Sequence, residues 1–414
     1  MAVTSRQVAA YRLGRQHLLD RAPRGRFVEV LREIGGAQAQ LLPAAYLALG
    51  TRVRELTPAA LDRATFRDRR LVKAWCLRRT IHLLARDDTA VFVRATTRRA
   101  AKEILWMRHK EVPARAIDAL IDAVVAALDQ PRTRVELAEA VARTLGRPVL
   151  WQEGGGWGSA RSVPCVKVGP ILCPAYFFLH LAAARAVICA GPDRDGEGTY
   201  VRADAWVPGW RDLPTERAEE ELLRRYLAAF GPATPHDFHA WTRIGVTGAR
   251  AIWARLAEEI APVEVDGRTA GILRRDLDAL RAAEFDPPSV RLLPYFDAFL
   301  LGHAGRDHLL PPERRTEVYR PAGWIAPVVL VDGRVAGVWR YDREAPELRV
   351  RAELWRSPSR GIERAIRDEA REVGRFLGSD QPTISVVGAR PLRFTPARRR
   401  TVPTGNGRTS PGSG

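Results

Sequence analysis

The sequence predicts an α+β protein made of three tandem winged-helix units and a small C-terminal β-barrel-like domain. Three observations support this fold class. Short helical segments run into a two-stranded hairpin three times in succession, which is the plan of a winged helix, a variant of the helix-turn-helix. The last quarter of the chain changes to strand-like runs. The 414 residues carry 66 Lys and Arg against 48 Asp and Glu, a net charge of +18, which favours a polyanionic partner.

The first unit is predicted over residues 1–112. Its best-defined helix starts after Thr57, a residue suited to cap a helix, and has Pro58 in its first position. The segment LVKAWCLRRTIHLLA then predicts two strands that turn at Arg78 and Arg79. This unit therefore ends in an arginine-rich hairpin.

The second unit is predicted over residues 113–212. It opens with TRVELAEAVARTLG, in which Thr133 and Glu136 have the spacing of a helix capping box. The helix-like segment FFLHLAAARA follows, and the runs AVICAGP and TYVRADAWV predict a second hairpin.

The third unit, residues 213–284, follows the same plan most clearly. A helix is predicted to end at Gly231, and two further helices are predicted to be capped by Thr234 and Thr247. The segment PVEVDGRTAGILRRD then predicts a hairpin that turns at its Asp-Gly dipeptide.

Residues 285–396 are predicted to form the β-barrel-like domain. The pair APVVLV and RVAGVWRY, on either side of an Asp-Gly turn, gives the strongest hairpin signal of the chain. The helix-like segment SRGIERAIRDEAREVGRFLG interrupts these strands. Residues 397–414 contain four Arg, no acidic residue, and otherwise mainly Gly, Pro, Ser and Thr, so they are predicted to be a disordered basic tail.

Other features of the sequence restrict the class of protein. A membrane-spanning helix needs a length of about 20 apolar residues, and no apolar run in the sequence is close to that length. The N-terminus lacks the apolar stretch of a signal peptide. The four cysteines include no C-x-x-C pair, which disfavours a zinc site and a disulfide framework. We therefore expect a cytoplasmic, nucleoid-associated protein that uses no metal and no cofactor.

The positive charge is concentrated in one part of the chain. Residues 51–110 hold 16 Lys and Arg against six acidic residues, a net charge of +10. Abundant arginine explains a preference over lysine, since the chain has four lysines, but it does not explain an excess over acids. Charge alone therefore indicates nucleic-acid binding.

Two glutamines form a candidate catalytic pair. In the segment GGAQAQLLPA, Gln38 and Gln40 are separated by one residue and follow a predicted helix end at Gly35 and Gly36. If the backbone is extended there, both amides project from one face. On spacing alone, glutamines at a helix end more often satisfy backbone groups than act on a substrate.

Several blocks of the chain resemble the AlkZ/YcaQ family of winged-helix DNA glycosylases. Together they span most of the sequence in the family order, up to about residue 394, and leave out the tail. The matching blocks are GGAQAQ with Gln38 and Gln40, LVKAWCLRRTIHLLARDD with Arg79, Thr80 and His82, RRYLAAFGPATPHDFHAW, LLPYFDAFLLGH around Asp297, and GWIAPVVLVDGRVAGVWR.

This resemblance implies three winged helices and a β-barrel around a DNA-binding concavity. It also implies that a glutamine-apolar-glutamine motif is catalytic in the AlkZ branch, whereas the YcaQ branch has aspartate at the second position. Because this chain has Gln40, it resembles the AlkZ branch. One departure is the loop after Asp297, where Ala304 and Gly305 stand in place of more basic residues.

The resemblance implies a DNA glycosylase that removes cationic N7- or N3-alkylated purines, including bulky adducts or interstrand crosslinks, in DNA repair or self-resistance to a genotoxic natural product. Such a base already carries positive charge and leaves readily, so the enzyme mainly has to position water at C1′ and stabilise an oxocarbenium-like sugar. Neutral amide oxygens suit both tasks, but they are poor bases, so uncharged purines should be nearly inert. Because the chain has four lysines, a Schiff-base lyase step is disfavoured and we expect a monofunctional enzyme. The partner would be double-stranded DNA with alkylated bases, bound by a monomer.

The remaining candidate residues are assigned to DNA binding, with alternatives for two of them. Arg78, Arg79 and Thr80, at the turn of the first hairpin, are placed against backbone phosphate. His82 either touches DNA or is a core histidine. Asp297 either contacts the catalytic region or caps a helix.

Two other functions compete with a glycosylase. A non-catalytic winged-helix DNA-binding or regulatory protein would have the same architecture, although the sequence has no heptad seam for dimerisation and no separate effector domain. An RNA-binding protein is disfavoured because no aromatic-rich strand of the RNP type occurs.

The glutamine pair leads to a prediction about pH. Because glutamine does not titrate, the single-turnover rate of base release should show no limb from a catalytic carboxylate between about pH 4 and 6. Rates of N7-methylguanine release, corrected for spontaneous loss, measure this. A steep acidic limb would mean that a carboxylate, and not the amide pair, drives the reaction.

Overall fold

A computed structural model describes residues 1–97, 100–153, 162–210, 213–344 and 347–388. The helices in chain order are α1 (Ser5–Arg15), α2 (Phe27–Glu33), α3 (Leu42–Gly50), α4 (Pro58–Asp62), α5 (Thr89–Ala95), α6 (Ala100–His109), α7 (Ala114–Ala126), α8 (Arg134–Thr144), α9 (Ala175–Ala184), α10 (Ala203–Trp206), α11 (Thr215–Phe230), α12 (Pro235–Thr242), α13 (Val246–Arg255), α14 (Leu277–Arg281), α15 (Arg315–Val318) and α16 (Arg360–Phe376). The strands are β1 (Ala2–Val3), β2 (Ala37–Gln38), β3 (Leu71–Trp75), β4 (Ile81–Ala85), β5 (Arg132–Thr133), β6 (Val149–Glu153), β7 (Ser162–Val168), β8 (Ile171–Pro174), β9 (Ile188–Ala190), β10 (Thr199–Arg202), β11 (Ile260–Val265), β12 (Arg268–Leu273), β13 (Val290–Leu293), β14 (Val328–Val331), β15 (Arg334–Glu344), β16 (Glu347–Leu354) and β17 (Thr383–Gly388).

The first two predicted hairpins form, and they join in one six-stranded antiparallel sheet. Its strand order is β2-β4-β3-β9-β10-β5. The two hairpins meet where Lys73 of β3 pairs with Ala190 of β9. At one edge, Gln38 of β2 pairs with His82 of β4. The sheet therefore links the predicted units 1–112 and 113–212 and carries the glutamine motif on its edge.

The helix caps predicted from the sequence are mostly confirmed. Thr57 accepts a hydrogen bond from the backbone N–H of Ala60, and Thr133 forms a capping box with Glu136 at the start of α8. The small sheet β6-β7-β8 in the second unit was not predicted.

The third unit has the predicted order of helices α11, α12 and α13 followed by the hairpin β11–β12. Thr234 caps α12 in a capping box. The predicted cap at Thr247 is wrong, because α13 begins at Val246 and Gly245 occupies the N-cap. The N-terminal strand β1 pairs in parallel with β11, so the start of the chain is held by the third unit.

The C-terminal strands form an open sheet, and the β-barrel-like prediction is wrong over the described residues. The order is β13-β14-β15-β16-β17. The long helix α16 crosses over between β16 and β17, and these two strands are parallel. The crossover leaves β17 and β13 at opposite edges of the sheet. The predicted disordered tail, 397–414, lies outside the described residues.

The C-terminal sheet and the first unit share a hydrophobic core. Ile366, Val373 and Phe376 of α16 pack in one buried cluster with Leu31 and Leu49 from the N-terminal part of the chain. At Gly50, an added Cβ would lie 2.4 Å from the Phe376 ring, so the close approach of α3 and α16 requires glycine. The two ends of the chain are therefore packed as one body.

A buried ion pair connects the same two regions. The Arg52 guanidinium contacts both oxygens of Asp297 at 2.7 and 2.8 Å, and both side chains have no exposed surface. Arg52 also donates to the carbonyl oxygens of Gln16 and Ala48, at 2.9 Å each. Such bidentate, fully hydrogen-bonded geometry is what allows a charged pair to be buried.

None of the described helices combines the length and apolar character that crossing a lipid bilayer requires.

The ion pair leads to a stability prediction. Asp297→Ala should lower the free energy of unfolding by about 3–5 kcal/mol, because it leaves the Arg52 charge buried without a partner. Denaturant unfolding followed by circular dichroism measures this. The matched control is Asp307→Ala, since the Asp307 side chain is 73% exposed and its pair with Arg315 should contribute about 0–1 kcal/mol. Equal, small effects of the two substitutions would contradict the assigned role of the buried pair.

Candidate active site

The glutamine motif is held at the edge of the six-stranded sheet. Helix α2 ends just before Gly35 and Gly36, whose φ angles of +75° and +80° reverse the chain. A Cβ at Gly36 would lie 2.6 Å from Leu84, so the turn can pass over the sheet only as glycine. The strand β2 follows directly, so the backbone is extended at Gln38.

The two glutamine side chains are oriented by donors on the first hairpin. The Oε1 of Gln38 accepts a hydrogen bond from Nη2 of Arg78 at 3.1 Å, and the Oε1 of Gln40 accepts one from the backbone N–H of Ile81 at 2.8 Å. Because both partners are donors, each amide must turn its oxygen toward the hairpin. Each Oε1 retains a second lone pair, and within the described part of the chain neither Nε2 has a protein partner.

Arg78 connects three groups around Gln38. Its Nη2 also lies 3.1 Å from Nε2 of His82, and its Nη1 donates to the carbonyl oxygen of Trp241 on α12 at 2.7 Å. The predicted phosphate-binding arginine is therefore part of the site itself, where it fixes the orientation of the Gln38 amide.

His82 is a buried histidine with a defined tautomer. It is 2% exposed, and its Nδ1 lies 3.1 Å from the carbonyl oxygen of Thr80. A carbonyl can only accept, so Nδ1 carries the hydrogen and Nε2 accepts from Arg78. Of the two interpretations of His82, the buried one is favoured.

The other two hairpin residues have different surroundings. Thr80 donates from its hydroxyl to the carbonyl oxygen of Leu77 at 3.0 Å, which closes the turn. Arg79 is exposed and adopts a φ of +61°. Of the predicted DNA-contacting residues, Arg79 is thus the one best placed to meet a phosphate from solvent.

Asp297 does not reach the site, and its predicted contact with DNA is wrong. Its carboxylate has no exposed surface, is paired with Arg52, and accepts from the backbone N–H of Phe299 at 3.0 Å. This last bond caps a short 3-10 helix, Ala298–Leu300, so the capping alternative is the correct one.

The glutamines lie in a cavity of about 940 Å³. Its walls come from the first hairpin, α8, α9, α12 and the loops around residues 301–306 and 322–325. The lining residues are Gln38, Gln40, Trp75, Arg78, Arg79, Thr80, Ile81, Arg134, Tyr176, His180, His236, His239, Ala240, Arg243, Leu301, Ala304, Arg306, Ala322, Gly323 and Ile325.

The cavity is strongly cationic. Among the described residues that line it, five are arginines and none is a carboxylate. Burial lowers the pKa of the Arg306 guanidinium, which lies 4.7 Å from the centre of the Tyr319 ring. Close by, the backbone N–H of Ala304 donates to Asp237 at 2.9 Å. The loop that departs from its relatives at Ala304 and Gly305 therefore still brings Arg306 to the cavity.

Several lining residues were not identified from the sequence. Arg134, Arg243 and Arg306 belong to three separate segments, and only the tertiary structure brings them together. Tyr176 and His180 do carry a local signal, since positions four apart share one face of a helix. That signal could have marked α9 as a candidate wall.

Comparison with known proteins shows the family of the chain. The family described as DNA glycosylase AlkZ-like matches residues 31–376. The chain belongs to this family. It is therefore a DNA glycosylase, as the resemblance implied, and the interpretation as a non-catalytic DNA-binding protein is not supported.

A relative and a solved structure, both from Streptomyces sahachiroi, are similar to this chain. The chain is 31% identical over 401 residues to an interstrand DNA cross-link repair glycosylase, covering 94% of this chain and all of that protein. The structure of the DNA glycosylase AlkZ superimposes with a TM-score of 0.75 at 29% identity and the same coverage. The mixed α+β fold of this glycosylase is thus similar to that of AlkZ.

The network around Gln38 leads to a kinetic prediction. Arg78→Lys keeps the charge but cannot bridge Gln38, His82 and Trp241, because an ammonium lacks the planar fork of a guanidinium. We expect the single-turnover rate at saturating enzyme to fall by about tenfold to a hundredfold, with little change in the half-saturating enzyme concentration.

The control is Arg79→Lys, on the same turn but exposed. A phosphate contact tolerates lysine, so this variant should retain the wild-type rate. If Arg78→Lys instead changes only the half-saturating concentration and its salt dependence, Arg78 binds phosphate and does not position Gln38.

Proposed function

We propose that this DNA glycosylase excises cationic alkylated purines from double-stranded DNA, with bulky adducts and interstrand crosslinks among its substrates. The observation that supports this most directly is the pair of uncharged amides, Gln38 and Gln40, fixed by Arg78 and Ile81 in a cavity with no carboxylate among its described lining residues. The printed name of the Streptomyces sahachiroi relative, a cross-link repair glycosylase, supports the larger substrates. Repair or self-resistance to an alkylating genotoxin is the corresponding role.

The amide pair suits a reaction that begins with departure of the base. The bond between C1′ and the purine nitrogen breaks, and its electron pair neutralises the positive charge of the alkylated purine. Water then adds to the oxocarbenium-like sugar at C1′ and loses a proton to solvent. The free lone pairs on Oε1 of Gln38 and Gln40 can accept the hydrogens of this water, which directs its oxygen toward C1′.

The same arrangement explains selectivity for charged lesions. A neutral amide cannot remove a proton from water before the glycosidic bond breaks, and none of the lining residues within the described segments is a carboxylic acid that could protonate an ordinary purine. A base that is already cationic needs neither form of help. Unmodified DNA would therefore be spared.

A monofunctional reaction is supported by the placement of lysine. A lyase step needs an amine that can form a Schiff base with C1′. No lysine occurs among the lining residues in the part of the chain that the structure describes. Lys73, the lysine nearest in sequence to the motif, is buried and lies 3.0 Å from an oxygen of Asp193.

The lining arginines and the winged-helix units would bind the DNA and hold it at the cavity. The order α11, α12, α13, β11 and β12 supports a winged helix at residues 213–284, and the two earlier hairpins support units at 1–112 and 113–212. Arg79 from the first unit, Arg134 from the second and Arg243 from the third line the cavity, and they would bind phosphates. We propose a monomer that acts in the cytoplasm on nucleoid DNA and needs no cofactor beyond water.

A base-release assay tests the proposal. With duplex DNA containing N7-methylguanine, Gln38→Ala and Gln40→Ala should each lower the rate of release by about a hundredfold or more, because each removes one fixed contact to the water or the sugar. Chromatography of the free base and cleavage of abasic sites by alkali measure the rate.

The matched control is Gln130→Ala, since Gln130 is exposed and outside the cavity. It should act as the wild type does. If the wild-type protein releases no alkylated base, or if both motif variants keep the full rate, the proposed reaction is wrong.

A further inference from the structure

One wall of the cavity consists of three aromatic side chains. Tyr176 and His180 lie one turn apart on α9, and Trp75 ends strand β3. The Trp75 and His180 rings meet edge to face, with centroids 6.4 Å apart and an interplanar angle of 71°. All three residues line the cavity, and we call them the aromatic wall.

The aromatic wall is supported from behind. Trp75 stacks on Tyr200 with centroids 5.4 Å apart and planes within 10° of parallel. Burial of Tyr200 raises the pKa of its hydroxyl to about 12, so it remains a neutral backing ring. The indole of Trp75 is thus held in place before any ligand binds, which reduces the entropy cost of stacking against it.

The aromatic wall lies next to the catalytic pair. Trp75 pairs directly with Ile81 across the first hairpin, and the backbone N–H of Ile81 is the donor that holds Gln40. If a purine binds beside Gln40, a group attached to that purine could therefore extend along the aromatic wall.

The size of the cavity exceeds what a methylated base requires. Its volume of about 940 Å³ lies near the upper end of pockets that enclose drug-sized molecules, about 300–1,000 Å³. A purine with one methyl group would leave much of this space empty. The remaining volume suits a large substituent.

The positive charge of the lining arginines also favours binding of the large substituent at the aromatic wall. The five lining arginines repel a cationic adduct unless phosphates neutralise them. The electron-rich faces of Trp75 and Tyr176, both on the cavity lining, attract positive charge and planar rings.

We propose that Trp75, Tyr176 and His180 form a stacking subsite for a planar aromatic substituent carried by an alkylated purine. This inference rests on the proposed function and identifies which part of the cavity distinguishes bulky from small lesions. The purine itself remains at Gln38 and Gln40, and the substituent stacks along the aromatic wall.

The experiment compares two duplexes, one with N7-methylguanine and one with N7-naphthylmethylguanine. Tyr176 is the residue to change, since its side chain is 38% exposed and its loss leaves the core intact. Tyr176→Ala should raise the half-saturating enzyme concentration for the naphthylmethyl duplex about tenfold, because it removes one stacking surface. Release of N7-methylguanine should change by less than about twofold.

Two further variants complete the test. Tyr176→Phe retains the ring and should behave as the wild type on both duplexes. Trp151→Ala removes an aromatic residue that is 53% exposed but does not line the cavity, and it should also leave both substrates unaffected.

Equal losses on both duplexes would overturn the proposal, because the aromatic wall would then hold the purine itself. No loss on the naphthylmethyl duplex would also overturn it. Failure of the proposed function is recognised separately, as the absence of N7-methylguanine release by the wild type. In that case, fluorescence anisotropy of the two duplexes with wild type and Tyr176→Ala still decides whether the substituent stacks.

Discussion

The candidate site depends on one guanidinium. Arg78 bonds the amide oxygen of Gln38, the ring of His82 and the carbonyl of Trp241, which come from β2, β4 and α12. These contacts join the edge of the six-stranded sheet to a helix of the third unit. Because a guanidinium donates in fixed directions, the amide of Gln38 and the wall formed by α12 are held in one geometry. An uncharged motif thereby acquires the rigid placement that positioning catalysis needs.

Larger features of the fold serve the same cavity. The first two hairpins join edge to edge in one sheet, β1 pairs with the hairpin of the third unit, and the C-terminal sheet packs on the first unit. The buried pair of Arg52 and Asp297 fixes the loop that leads to Leu301 and Arg306 on the cavity wall. Strand pairing, core packing and the buried ion pair therefore join the predicted units to one another, and the cavity lies where these units meet.

Local signals predicted most of the secondary structure. Caps at Thr57, Thr133 and Thr234 and the hairpin turns depend on residues within a few positions of each other, so the sequence shows them directly. The barrel prediction was wrong because strand content does not determine how sheet edges are arranged. The parallel pairing of β17 with β16, after the crossover of α16, keeps the sheet open, and that pairing spans residues far apart in the chain.

For function, the amino-acid sequence was enough to identify the motif of Gln38 and Gln40, the positive charge and the resemblance to a glycosylase family. These are properties of residue identity and spacing. The folded structure was needed to show that Arg78 positions Gln38, that Asp297 is buried against Arg52, and that Trp75 and Tyr176 line one wall. Hydrogen bonding and burial depend on which distant segments pack together. The residue types of the site could therefore be predicted from the sequence, whereas their contacts and burial depend on the folded structure.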